Sequence, residues 1–215
     1  MRKVICTTIL FSMICGNVFS QTGKKLDESE KQVFEQKMVE GLKKVTTLQC
    51  TLALEKTSSL TAEKVMMKGA MMYQSPSKLR WEYTDPTPST LILNGNNAVL
   101  LDKNGEKIAD NGNEKMLKQL GNFIIMMISG KGIMQQNKMF SPEFYEIDDA
   151  QMLVVLTPAQ KRLKDLYNKI ELRIDRKTML ANNIMLDEKS GEKTVISLTN
   201  KILNLEISPN KFEIK

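Results

Sequence analysis

From residue 48 onward the chain alternates apolar and polar side chains with a period of two, which predicts β-strands that face a core on one side. The runs fall at residues 48–56, 64–73, 79–83, 90–93 and 98–101, with a short one at 107–109. They resume at 144–147, 152–156, 166–174, 180–186 and 194–205. Between them, Asn94-Gly95-Asn96-Asn97 and Lys103-Asn104-Gly105 offer the positive φ that tight hairpins demand. Asp175-Arg176-Lys177-Thr178 and Lys189-Ser190-Gly191 read as further turns. About eleven strands so joined make an antiparallel meander too wide to stay flat. The expected fold is α+β: a strongly curved antiparallel sheet, or incomplete β-barrel, with helices covering its concave face.

Two segments carry a helical period instead. Residues 26–45 space Val33, Phe34, Met38, Leu42 and Val45 three to four apart, and Asp27 with Glu30 forms a capping-box signature. Residues 113–129 place Met116, Leu117, Leu120, Phe123, Ile124, Met127 and Ile128 at similar spacing. This second helix becomes apolar nearly all round before Ser129-Gly130-Lys131-Gly132 ends it. Such a helix is expected to be covered on most sides. Periodicity alone fits a plain core helix as well as a lid over a ligand.

The strand pattern is sharpest within residues 71–93, which hold the only tryptophan and two of the four tyrosines. Leu79, Trp81 and Tyr83 share one face, while Arg80 and Glu82 share the other. Pro76 breaks the chain before this strand, and Pro86 and Pro88 break it ahead of Thr90-Leu91-Ile92-Leu93. An aromatic row of this size needs apolar material against it, either core or ligand.

The first twenty residues differ in kind from the rest. Arg2 and Lys3 precede an apolar run from residue 4 to 13, and Val18-Phe19-Ser20 fits a signal-peptidase cut before Gln21. A secretory signal peptide over residues 1–20, cleaved near Ser20, implies an exported protein whose single domain spans 21–215. Acylation of Cys15 is the competing reading, but Ile14 stands where a lipobox wants a small side chain. No later stretch reaches the roughly 18 apolar residues that span a bilayer. Cleavage also removes Cys6 and Cys15, leaving Cys50 in a strand as a small buried hydrophobe with no disulfide partner.

Charge narrows the function classes. The net charge of +6 falls to +4 once Arg2 and Lys3 leave, and the remaining cations are scattered among acids, which speaks against nucleic-acid binding. The chain has no histidine, which removes Ser-His-Asp and Cys-His catalysis and the commonest metal ligand. No phosphate-binding glycine loop occurs. Asp148-Asp149 sits between strands, where Asp is a turn former. No catalytic residue, metal site or cofactor is expected. The notable excess is methionine, 15 in all, with the pairs Met66-Met67, Met71-Met72 and Met126-Met127. Flexible, polarisable side chains suit a cavity that changes shape around acyl chains, although an ordinary core uses them too.

The stretch Gly69-Ala70-Met71-Met72-Tyr73-Gln74-Ser75-Pro76-Ser77-Lys78-Leu79-Arg80-Trp81-Glu82-Tyr83, followed by Pro-x-Pro, a strand and the Asn94-Gly95 turn, resembles the periplasmic outer-membrane lipoprotein carriers, the LolA family. Leu172-x-Ile174-Asp175, Ile184-x-Leu186-Asp187, Gly191-x-x-Thr194-x-Ile196, Asn200, Asn204 and Phe212 extend the resemblance over residues 29–214. It implies an unclosed barrel covered by helices, monomeric and non-enzymatic. Such a carrier receives lipidated protein from an inner-membrane lipoprotein-releasing transporter, holds its acyl chains, and passes them to an outer-membrane acceptor. By position, Trp81 looks like the cavity-wall tryptophan and residues 113–129 like part of the lid. The implied cavity and lid residues are Met71, Tyr73, Leu79, Trp81, Tyr83, Leu91, Leu93, Leu117, Leu120, Phe123, Ile124 and Met127. One position departs: the family's lid-closing arginine before the motif proline is Ser75 here, with Lys78 and Arg80 the nearest cations. A periplasmic lipid or lipoprotein sensor, or a lipid-transport protein of the same fold, is the alternative reading; the sensor is expected to need a further domain or tether.

Overall fold

The structure is a computed structural model that describes residues 23–108, 114–130 and 139–214. The expected signal peptide over 1–20 and Ala109 lie outside these residues. In chain order the elements are β1 (Lys24–Lys25), α1 (Glu28–Lys43), β2 (Thr47–Thr57), β3 (Lys64–Gln74), β4 (Lys78–Asp85), β5 (Ser89–Asn94), β6 (Asn97–Leu101) and α2 (Glu114–Ser129). They continue with β7 (Phe140–Glu146), β8 (Gln151–Pro158), α3 (Lys161–Lys164), β9 (Tyr167–Asp175), β10 (Ala181–Glu188), β11 (Lys193–Leu203) and a final 3-10 turn, Pro209–Phe212.

All eleven strands join one antiparallel sheet in the order β1-β7-β8-β9-β10-β11-β2-β3-β4-β5-β6. β11 pairs with β2, which knits the two ends of the chain into the middle of the sheet, while β1 and β6 stand at the two ends of the strand order. The sheet is therefore curved and unclosed, as the alternating pattern implies. Two details of the expected strand set change. The run at 107–109 is only an isolated bridge from Leu101 to Lys107 among the described residues. A two-residue strand at Lys24–Lys25, too short to show a period, takes the other edge against Tyr145 and Glu146.

Register explains the core. Cys50, Met71, Trp81, Leu91 and Leu100 lie side by side across β2 to β6. Phe144, Val154, Leu172, Ile184, Ile196 and Leu54 form a matching row from β7 to β2. With most of these side chains buried on the concave face, each fully buried one contributes about 1.5–3 kcal/mol of transfer free energy. The opposite face carries Arg80, Glu82 and Ile92, and there the chain's last residues pack: Phe212 is fully buried, and its carbonyl accepts from Asn94 Nδ2 at 3.2 Å.

Both helices lie against the concave face. α1 begins at Asp27, whose side chain accepts from Ser29 N and Glu30 N while Glu30 accepts from Asp27 N at 3.0 Å, so the capping box forms as its sequence implies. Its buried stripe is Phe34, Met38 and Leu42, and Phe34 meets Phe144 edge-on with centroids 5.6 Å apart. Val33, one position off that stripe, is half exposed. α2 packs against β6 and β5 at one end of the sheet and reaches β10 across the concave face. It can approach β5 closely because Gly121 has no side chain: a Cβ there would sit 3.2 Å from Leu93. The helix ends at Gly130, which has φ +63° and nests where a Cβ would lie 2.5 Å from Leu42 and 2.7 Å from Met38.

Candidate functional site

Between α2 and the concave face lies a cavity of about 240 Å³. The sheet supplies Leu54, Trp81, Tyr83, Ser89, Leu91, Leu100, Tyr167, Ile184, Leu186, Thr194 and Ile196, and α2 supplies Leu120, Phe123, Ile124 and Met127. No Lys, Arg, Asp or Glu is among these lining residues. Trp81 and Tyr83 meet edge-on at 6.2 Å, an arrangement that aromatic quadrupoles favour. Burial pushes the phenols of Tyr83 and Tyr167 up from their ordinary range, as expected where the charged form would lose its hydration.

Of the twelve expected cavity and lid residues, Trp81, Tyr83, Leu91, Leu120, Phe123, Ile124 and Met127 line this space. Met71, Tyr73, Leu79, Leu93 and Leu117 are buried in the surrounding core. Tyr73, Leu79 and Leu93 stand one register step further along the strands, Met71 lies beside Trp81 on the side towards β2, and Leu117 lies one turn before Gly121 in α2. Residues outside the expected set come mainly from β9 to β11: Tyr167, Ile184, Leu186, Thr194 and Ile196. Alternation marks Ile184, Leu186, Thr194 and Ile196 as inward-facing, and Tyr167, off the parity of Ile170 and Leu172, joins them across the register shift beside Glu188; only the curvature of the sheet brings them opposite Trp81.

The polar groups around α2 show how the helix is held. Lys78 Nζ lies over the Phe212 ring at 5.9 Å, and Arg80 pairs with Glu82 at 2.8 Å and donates to the Lys211 carbonyl. Both cations therefore act on the outer face of the sheet, away from the helix. α2 is tied instead through its first half. Lys118 Nζ donates to Asn96 Oδ1 at 2.7 Å, and Arg162 Nη2 donates to Gln119 Oε1 at 3.0 Å. Its far end is anchored by packing of Gly130 on α1.

Cys50 and Asp148 take structural places. Burial pushes the Cys50 thiol up to about 11, the opposite of what a nucleophile needs. Asp148 accepts from Ala150 N and Gln151 N, which is turn chemistry. Among the described residues no cluster could hold a metal ion, and no helix is long and apolar enough to cross a membrane.

An unclosed antiparallel barrel, helix-covered over an uncharged apolar interior, defines a class of proteins by architecture. The sequence places the chain within it: it belongs to the family of the outer membrane lipoprotein carrier protein LolA, whose family model matches residues 43–215. A comparison with curated proteins returns no match. Among solved structures, MucB aligns with a TM-score of 0.54 and 11% identity, over 87% of this chain and 64% of that one. The MucA/MucB complex of Pseudomonas aeruginosa aligns at 0.51 and 10%, over 85% and 60%. A LolA superfamily protein from Nitrosomonas europaea aligns at 0.44 and 12%, over 84% and 97%. At these identities the likeness is one of fold.

Proposed function

We propose that this protein is an exported carrier of acyl chains, which takes lipidated protein from an inner-membrane transporter and delivers it to an outer-membrane acceptor. In this reading residues 1–20 direct export and are removed, and residues 21–215 work as one domain in the periplasm. The observation that carries the proposal is the uncharged cavity of about 240 Å³ under α2, walled by Trp81, Tyr83 and Met127. A cavity of about 150 Å³ accepts one benzene, so this one takes on the order of ten carbons. Burial of each methylene contributes about 0.8 kcal/mol before ordering losses are subtracted.

A carrier must also release what it binds. Among the described residues the polar ties on the first half of α2 are two exposed hydrogen bonds, each with a net contribution of about 0.5–1.5 kcal/mol, so what release has to overcome is chiefly the packing of Leu117 and of Gly121 against Leu93, while Gly130 keeps the other end in place. Native mass spectrometry of the protein purified gently from its own cells tests the proposal. A bound acylated peptide or lipoprotein is the expected result. A bound phospholipid would move the reading to lipid transport or sensing. A bare mass with no later uptake of an acyl probe would reduce the cavity to core.

A further inference from the structure

The inner cavity has a neighbour. On the other flank of α2, towards α3, lies an open groove of about 460 Å³. Met116, Met126 and Leu163 give it apolar walls, and Gln119, Gln160 and Arg162 give it a polar margin. Leu120, Phe123 and Tyr167 line both spaces. The rings of Phe123 and Tyr167 stack with centroids 6.2 Å apart and planes 4° from parallel. These residues are therefore a shared wall. Any passage between the two spaces has to run through this wall.

Polarity sets a direction along the joined path. The inner end has no charged lining residue, while the outer margin presents the exposed guanidinium of Arg162, hydrogen-bonded to Gln119. The inner end takes on the order of ten carbons on the benzene scale, which is shorter than a myristoyl chain. We propose that cavity and groove together bind a single long acyl chain, passing between Phe123 and Tyr167. The terminal methyl lies against Trp81 and Met127, and an ester or carboxyl head accepts hydrogen bonds at the margin formed by Gln119, Gln160 and Arg162. This rests on the acyl-carrier reading and adds an entry side, an orientation and a head-group contact to it.

Two photoreactive long-chain fatty acids test the assignment on the full chain, one with its diazirine at the methyl end and one with it beside the carboxyl. The expected pattern is methyl-end labelling of Trp81, Ile124 or Met127 and carboxyl-end labelling of Met116, Met126 or Leu163. Reversed labelling, or both probes confined to the inner set, overturns the path while leaving the carrier reading intact. Labelling of neither set above background defeats the carrier reading itself, and the path with it. In a second measurement, Arg162→Gln, a change at an exposed position, weakens fatty-acid binding about threefold to tenfold and fatty-alcohol binding less. Equal loss for both ligands, or no loss for either, removes Arg162 from the head-group contact.

Discussion

α1 and α2 are both sixteen residues long and both press on the concave face of the sheet, yet they are built for different work. α1 has one narrow buried stripe, a charged outer face and a complete cap, and the groove at its flank is edged by Glu30, Lys37, Glu146 and Arg176. α2 buries Leu117, Gly121, Ile125, Met127, Ile128 and Ser129, and still leaves Met116 58% and Leu120 49% exposed. α1 leaves Val33 half exposed as well, but beside that charge-edged groove. α2 instead leaves Leu120 in the wall of an uncharged cavity and Met116 in the groove beside it, and so has apolar surface to offer a ligand. The difference lies in which surfaces are left without a protein partner.

Substitutions sharpen that contrast. The largest expected effect on stability is Phe34→Ala in α1, which removes the edge contact with Phe144 and costs about 3–5 kcal/mol in urea denaturation. Acyl affinity of the molecules that remain folded stays unchanged. Gly130→Ala strikes the junction of the two helices, since a Cβ there meets Leu42 and Met38 in a left-handed backbone. It lowers stability by about 2 kcal/mol or more and loosens α2, measurable as faster amide exchange in that helix. Asp27→Ala strips the α1 cap and costs about 1 kcal/mol, again without effect on binding. Leu120→Glu shifts stability least, within about 0.5 kcal/mol, because the side chain is half exposed. It nevertheless abolishes uptake of a fluorescent acyl probe by setting a carboxylate at the wall of the cavity. If Phe34→Ala and Leu120→Glu exchanged these outcomes, the division of labour between the helices would be wrong.

Much of this architecture is written in local pattern. Period-two runs with Gly95 and Gly105 at positive φ specify hairpins, and Asp27 with Glu30 specifies the start of α1. The two-residue edge strand at Lys24–Lys25 is not legible, because two residues show no period and its partner β7 lies far along the chain. The near wall of the cavity is legible through Trp81 and Tyr83. The far wall is not, since Ile184 and Ile196 reach it through the curvature of a sheet whose β11 pairs with β2. Leu79 and Leu93 share a face with Trp81 and Leu91 but lie one step along, under the helices rather than beside the cavity. Face is encoded by alternation, whereas depth along the face is set by where α1 and α2 settle.

Trp81 is the sole tryptophan and stands in the cavity wall, so its fluorescence reports directly on what enters. Titration with a fatty acid brominated near its methyl end is the most direct measurement. An acyl chain bound under α2 quenches Trp81 saturably in the wild-type protein, and the quenching disappears in Leu120→Glu. Absence of quenching in the wild-type protein, or equal quenching in both proteins, would contradict acyl binding in this cavity.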